Sequence, residues 1–186
     1  MPADRPLRIA GIAGSLRRAS FNRGLLRAAV ESAPFGMVIE TLEIRDLPLY
    51  DGDLDVDGGP PPVRAFKAGI VAADGLLIAT PEYNYSLPGV LKNALDWASR
   101  APERALNDKP VAIVGATTGR WGTVRGQLAL RQMLLFPGCR VLPSPVLTIP
   151  EARAHFDGDG NLTDAATRTQ LVGVLEAFDT WIRRLG

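Results

Sequence analysis

The sequence predicts a doubly wound α/β fold, in which a five-stranded parallel sheet lies between two layers of helices. Short and almost continuously apolar segments recur along the chain, which is typical of strands buried on both faces of a sheet. Each is followed by a stretch with helical spacing of its apolar residues, and right-handed crossovers then produce a three-layer sandwich. Because 46% of the 186 residues are hydrophobic, one domain spanning residues 1–186 can bury a complete core.

The first half of the chain contains three strand candidates and two helix candidates. The apolar runs are Leu7 to Ala13, Met37 to Leu42 and Gly75 to Thr80, the last ending where Pro81 favours an extended Thr80. The first helix is predicted from about Asn22 to Ala33, with Leu25, Leu26, Ala29 and Val30 on its apolar face. The second follows a loop rich in Pro, Asp and Gly, and its apolar face carries Val63, Phe66, Ile70 and Val71.

The second half continues the alternation. Pro88 suits a first helical position, so the third helix is predicted from there to about Arg100. A fourth strand, a fourth helix, a fifth and irregular strand and a last helix follow. Their ranges are Val111 to Ala116, Val124 to Phe136, Arg140 to Leu142 together with Val146 to Ile149, and Thr163 to Leu185. The last helix has an apolar stripe through Leu171, Val174 or Leu175, Phe178 and Ile182.

Charge and cysteine content exclude several functional classes. With 21 basic and 20 acidic residues, the formal charge of +1 does not favour nucleic acid or an anionic membrane as the main partner. The single cysteine, Cys139, excludes an intrachain disulfide and a C-x-x-C pair, so redox chemistry requires a bound cofactor. The sequence lacks an apolar run long enough for a signal peptide or a membrane span, and we expect a cytoplasmic protein.

Three loops are expected to meet at one edge of the sheet. In doubly wound sheets a ligand lies beyond the carboxyl ends of the strands, where the strand order reverses. The loops concerned are Gly14 to Asn22, Pro81 to Gly89 and Ala116 to Gly122, which are also rich in polar, aromatic and glycine residues.

The first of these loops has the composition of a phosphate site. It joins a strand to a helix, and the first turn of a helix has free backbone N–H groups and a dipole that favour an anion. Ser15, Ser20 and Asn22 add side-chain donors, and Arg17 or Arg18 adds a permanent charge. Neither a Walker loop nor a G-x-G-x-x-G fingerprint is present, which favours a terminal monophosphate. The alternative is an ordinary N-capped helix with arginines in solvent.

The second loop, Pro81 to Gly89, has the composition of a site for a planar ring. Tyr83 and Tyr85 offer flat apolar faces with polar tips, and Asn84 and the backbone N–H groups can meet ring carbonyls and nitrogens. The alternative is a turn whose tyrosines pack on the surface. Together with the first loop, it predicts a site for a ring that carries a monophosphate.

The two loops also carry a resemblance to a known family. The stretches concerned are Gly14 to Asn22, the run Pro81-Glu82-Tyr83-Asn84-Tyr85-Ser86-Leu87-Pro88-Gly89, its continuation to Arg100, and the tail from Phe156 to Asp164. They resemble the NADPH-dependent FMN reductases, especially their quinone and chromate reductase branch. The resemblance implies a flavodoxin-like fold, noncovalent FMN, NADPH or NADH as co-substrate, and a homodimer or homotetramer. The sequence departs from the pattern of the family at Arg120 and Trp121, where small residues are usual.

The resemblance also implies roles for individual residues. The FMN-binding candidates after the first strand are Ser15, Arg17, Ser20, Phe21 and Asn22, with the phosphate held by Ser15, Arg17, Ser20 and Asn22. Pro81, Glu82, Tyr83, Asn84, Tyr85 and Ser86 would line the isoalloxazine, and Thr117, Thr118 and Gly119 would contact the cofactor from the third loop. Because flavin N5 accepts the hydride, no catalytic acid or base and no metal ligand is expected.

Three functions remain as alternatives. The first is an FMN-dependent NAD(P)H oxidoreductase that passes electrons to quinones, azo compounds, free flavin or metal oxyanions such as chromate. The second is a flavodoxin-type electron carrier, although its usual acidic face is not indicated by the balanced charge. The third is a phosphate-responsive receiver, which would need aspartates where Gly14-Ser15 and Pro81-Glu82 stand. A further expectation is that Val90, Leu91, Ala94 and Trp97 of the third helix contribute to a dimer contact.

Overall fold

The structure is a computed structural model that describes residues 5–185, and its centre is one parallel sheet. The strands are β1 (Leu7–Ala13), β2 (Met37–Leu42), β3 (Gly75–Ala79), β4 (Pro110–Ala116), β5 (Arg140–Val141) and β6 (Leu147–Ile149). Their order is β2-β1-β3-β4-β5, and β6 also pairs with β4. The predicted doubly wound α/β fold with flavodoxin-like strand order is therefore confirmed. Of the predicted domain, residues 1–4 and 186 lie outside the described part.

Two short strands fill the fifth position of the sheet, in agreement with the irregular fifth strand that the sequence predicts. In the register of β4, Pro110 pairs with Arg140 of β5, whereas Val114 pairs with Leu147 of β6. Between them stand Pro143 and Pro145, which have no N–H to donate to a neighbouring strand. The interruption of the strand follows from these two prolines.

Two apolar layers pack against opposite faces of the sheet. The helices are α1 (Phe21–Glu31), α2 (Pro61–Ala72), α3 (Gly89–Ala98), α4 (Val124–Leu135) and α5 (Ala165–Leu185), with 3-10 turns at Gly52–Leu54 and Ala152–Ala154. One buried cluster joins α1 and α5 to the sheet, and the other joins α2, α3 and α4. Val30 and Val71, predicted on apolar faces, are exposed because each stands one residue beyond its buried stripe. No helix within residues 5–185 has the length and apolarity needed to cross a membrane.

Backbone hydrogen bonds bring the ends of the strands together, as the sequence predicted. The N–H of Gly14 donates to Ala79 O at 2.8 Å, that of Thr80 to Val114 O at 2.9 Å, and that of Thr117 to Ile149 O at 3.0 Å. The loops after β1, β3 and β4 therefore leave the sheet side by side.

Helix α3 does not present the surface on which the expected dimer contact was based. The side chains of Leu91, Ala94 and Trp97 are completely buried within the chain itself. Trp97 Nε1 also donates to Pro48 O at 2.9 Å, and its ring meets Tyr50 edge-on at 4.8 Å. The interpretation of Leu91, Ala94 and Trp97 as a dimer contact is wrong, because all three side chains are buried within the chain; Val90 is half-buried against the same apolar cluster.

An ion pair beside β1 predicts a defined loss of stability in acid. Asp74 accepts a hydrogen bond from the Arg8 backbone N–H at 2.9 Å. It also accepts hydrogen bonds from both terminal nitrogens of Arg5, at 2.6 and 2.9 Å. Burial raises the pKa of Asp74, but these bonds outweigh it and hold the pKa below the ordinary 3.8. A carboxyl group whose pKa is lower in the folded than in the unfolded protein stabilises the fold fully at pH values above its unfolded-state pKa. That stabilisation is lost as the pH falls through its folded-state pKa.

We expect Asp74→Asn to lower the free energy of unfolding at pH 7 by about 1 to 2 kcal/mol. The difference from the parent should shrink below about pH 4. Urea unfolding at a series of pH values measures it, with Asp46→Asn, at an exposed position, as control. A constant difference between the parent and Asp74→Asn down to pH 2 would contradict the assignment.

Candidate FMN and nicotinamide site

The three loops enclose a cleft of about 480 Å³ at the carboxyl edge of the sheet. Nine of the sequence-predicted residues line it, namely Ser15, Arg17, Ser20, Phe21, Asn22, Pro81, Tyr83, Thr117 and Thr118. Glu82, Asn84, Tyr85, Ser86 and Gly119 do not line it. The cleft also contains residues that were not among the predicted site residues, namely Ala19, Ala116, Arg153, Phe156, Asp157 and Gly158.

The loop after β1 keeps its donors available. Ser20 is the N-cap residue of α1 and is buried, yet its side chain forms no capping hydrogen bond. The first-turn N–H groups of α1 have no intrahelical partners either. Arg17 lies with its guanidinium 5.2 Å above the ring of Phe21 and forms no ion pair with any carboxylate of residues 5–185. This end of the cleft can bind an anion without breaking an ion pair or a capping hydrogen bond.

Asn22 already has structural partners. Its Nδ2 donates to Ala116 O at 2.8 Å, and its Oδ1 accepts from Ala116 N at 2.9 Å. This buried pair ties the first turn of α1 to the last residue of β4, although these residues stand 94 positions apart in the chain. Asn22 therefore holds two walls of the cleft together, a role that the sequence did not indicate.

The loop after β3 forms a tight hairpin. Tyr83 and Ser86 exchange two backbone hydrogen bonds of 3.0 Å. Between them, Asn84 and Tyr85 have φ of 49° and 65°, as the type I′ turn of a two-residue hairpin requires. The hairpin directs Tyr83 into the cleft, where its hydroxyl lies 3.5 Å from Ser15 Oγ.

Glu82 and Tyr85 face α4 instead of the cleft lining. Glu82 Oε2 accepts the N–H of Gly126 at 2.9 Å, in the first turn of α4, where a carboxylate is favoured by the helix dipole. The guanidinium of Arg125 lies 4.2 Å above Tyr85 and 5.6 Å from Trp121. Arg125 thus joins the loops after β3 and β4, and the exposed Trp121 stands at this rim.

The additional lining residues come from the segment between β6 and α5. Phe156 packs against Phe21 with 5.1 Å between ring centroids. A Cβ at Gly24 would lie 1.6 Å from Gly160 O, so α1 and this segment approach backbone to backbone. In the sequence, only the family resemblance of Phe156 to Asp164 indicated that this segment matters. No spacing rule connects the segment to residues of α1 some 135 positions earlier.

The cleft can bind and orient a ligand but has few groups that could transfer protons. Asp157 is its only carboxylate, and both oxygens accept hydrogen bonds from Asp159 or Asn161, which lower its pKa. His155 lies outside the lining, with Nδ1 3.1 Å from Thr167 Oγ1. Cys139 is also distant from the lining, and burial raises its pKa to about 12. Among residues 5–185, no group of three or more His, Cys, Asp or Glu is arranged to hold a metal.

Comparisons with known proteins identify one family. The profile of the NADPH-dependent FMN reductase family matches residues 7–154. A NAD(P)H-dependent FMN reductase of Pseudomonas aeruginosa is 48% identical over 179 residues, covering 96% of this chain and 97% of the relative. The NADPH:quinone oxidoreductase of Arabidopsis thaliana is 44% identical, covering 98% of this chain and 96% of the relative.

A solved structure agrees as well. The flavoenzyme NAD(P)H:(acceptor) oxidoreductase of Paracoccus denitrificans superposes with a TM-score of 0.87 at 35% identity, covering 97% of this chain and 99% of that one. The predicted enzyme class, a NAD(P)H-dependent FMN or quinone reductase, is confirmed. The chain belongs to the NADPH-dependent FMN reductase family.

Proposed function

We propose that the protein binds FMN in the 480 Å³ cleft and uses NADPH or NADH to reduce quinones. The observation that carries the proposal is that donors suited to a phosphate and aromatic groups suited to a ring line one cleft. The names of the relatives from Pseudomonas aeruginosa and Arabidopsis thaliana support FMN and quinones as ligands. We also propose that residues 1–186 act as one FMN-binding domain.

The residues present fit the phosphate end of FMN. Ser15 and Ser20 supply hydroxyls, Arg17 supplies a charge without a carboxylate partner, and the first turn of α1 supplies N–H groups. Asn22 keeps one amide hydrogen beyond its bond to Ala116 O, so it can still donate while it holds the wall in place. The cleft volume lies within the range of small-molecule sites, which span about 300 to 1,000 Å³.

The ring end is bordered by Pro81, Tyr83 and the Thr117 to Thr118 backbone. FMN supplies the redox chemistry when bound, because its N5 accepts hydride from the nicotinamide and its ring passes electrons to the acceptor. The chain would position the ring, and backbone N–H groups of the loops after β3 and β4 would stabilise the negative charge that the reduced ring carries. Proton transfer by a side chain is not required, in agreement with a cleft that lacks His, Cys, Lys and Glu among its described lining residues.

An absorption experiment tests the proposed function. Protein saturated with FMN and separated from free flavin should keep a yellow flavin spectrum. Under anaerobic conditions, NADPH or NADH should bleach this spectrum, and a quinone should restore it. Protein that retains no FMN, or a bound flavin that neither nicotinamide bleaches, would contradict the proposal.

The acceptor range is expected to depend on Trp121. Its side chain is 67% exposed at the rim, and Arg125 links it to the hairpin after β3. We expect Trp121→Gly to change the ratio of kcat/KM for a bulky quinone to that for a small quinone about fivefold or more, since indole contacts are among the largest a side chain makes. The FMN Kd should stay within about twofold, because Trp121 does not line the cleft.

Steady-state kinetics with both quinones and FMN titration measure these two effects. Leu135→Gly, at an exposed apolar position at the end of α4, is a control for loss of apolar surface. Identical acceptor ratios for parent and Trp121→Gly would contradict the assignment.

Azo compounds, free flavin and chromate are further acceptors that we propose on the sequence resemblance. A homodimer or homotetramer and a cytoplasmic location likewise stay predictions.

A further inference from the structure

Arg153 is a second arginine in the cleft and enters it from a different part of the sheet. Arg17 follows β1 and Arg153 follows β6, and β3 and β4 lie between these two strands. Within residues 5–185 the guanidinium of Arg153 forms no hydrogen bond or ion pair. By contrast, Arg27, which lies outside the cleft, donates to Gly160 O and Asn161 Oδ1.

The backbone at Arg153 is held firmly even though its side chain is exposed. It lies in the 3-10 turn Ala152–Ala154, where the fully buried Ala152 donates its N–H to Thr117 O at 3.0 Å. The tilted contact between the rings of Phe156 and Phe21 holds this segment against α1. An exposed arginine on a fixed backbone loses little freedom of the main chain when a ligand orders it.

The charged residues of the cleft favour an anion. Its charged lining residues are Arg17, Arg153 and Asp157. Asp157 accepts three hydrogen bonds from Asp159 and Asn161, and it forms no ion pair with either arginine among residues 5–185. Two arginines without acidic partners therefore face one engaged carboxylate. Planar guanidinium groups bind phosphate through paired hydrogen bonds, and a phosphomonoester dianion has enough charge and acceptor oxygens for two of them.

We propose that Arg153 binds the phosphomonoester of FMN together with Arg17, so that segments after β1 and after β6 hold the phosphate between them. This proposal rests on the proposed function. The residues around Arg153 place it at the phosphate end, because Phe156 contacts Phe21 and Gly160 packs on Ala19 and Gly24. The same chemistry could serve the 2′-phosphate of NADPH, which the experiment distinguishes.

The test compares FMN and riboflavin, which differ only in the phosphate. Each is titrated against cofactor-free parent, Arg153→Gln, Arg153→Lys and Arg184→Gln, the last removing an exposed charge on α5. We expect about a tenfold higher FMN Kd for Arg153→Gln, an intermediate value for Arg153→Lys and no change for Arg184→Gln. Riboflavin affinity and the NADPH to NADH preference should be the same in all four proteins.

Three results would overturn the proposal. They are an FMN Kd for Arg153→Gln equal to that of the parent, an equal loss for FMN and riboflavin, and a change confined to the preference for NADPH. A parent that does not bind FMN would refute the proposed function itself. If the parent binds FMN and Arg153→Gln binds it equally tightly, only the role of Arg153 is refuted.

Discussion

Replacing Arg17 and Ser20 together by Ala should weaken FMN binding roughly a hundredfold. The double variant removes a charge-assisted hydrogen bond and a hydroxyl donor, together about 3 kcal/mol, and each 1.4 kcal/mol is a factor of ten in Kd. The fold should persist, because Ser20 does not cap α1 with its side chain and Arg17 is exposed. Titration of cofactor-free protein with FMN, followed by flavin fluorescence, measures the effect.

Riboflavin and a neighbouring arginine provide the controls for this experiment. Riboflavin lacks the phosphate, so its affinity should be unchanged by the double substitution. Arg18→Ala removes the same charge from an exposed side chain that does not line the cleft, and it should alter the FMN Kd by no more than about threefold. Unchanged FMN affinity in the double variant would remove the phosphate assignment.

Asn22→Ala should lower the free energy of unfolding by about 3 kcal/mol. The substitution leaves the buried N–H and C=O of Ala116 without partners, and each such group costs about 1 to 3 kcal/mol. Urea unfolding of protein without FMN measures stability independently of cofactor binding. We expect a lower midpoint and an unchanged dependence on urea.

Asn107→Ala is the matched control, because Asn107 is exposed and its substitution should change stability by less than about 0.5 kcal/mol. Asn22→Asp keeps an acceptor for the Ala116 N–H but sets a buried carboxylate oxygen against Ala116 O, so it should be at least as destabilised as Asn22→Ala. A stability of Asn22→Ala equal to that of the control would show that the pair with Ala116 contributes little.

Local sequence patterns were sufficient for the elements of this fold. The predicted bounds of β1 and β2 agree with the structure residue for residue, because these apolar runs end at polar or glycine positions. Leu171, Phe178 and Ile182 of α5 are buried as predicted, since helical periodicity selects one face. The errors at Val30 and Val71 arose at the margins of such faces, where only the neighbouring elements decide whether a side chain is covered.

The sequence by itself therefore determined the alternation of strands and helices, the edge at which the loops converge and the family. The tertiary structure alone decided that Asn22 clamps Ala116, and that Arg153 and Asp157 enter the cleft. The physical reason is range: periodicity and capping act within a few residues, whereas these contacts join segments tens of residues apart. Such contacts depend on how α1 and the segment before α5 pack, and no local rule encodes that packing.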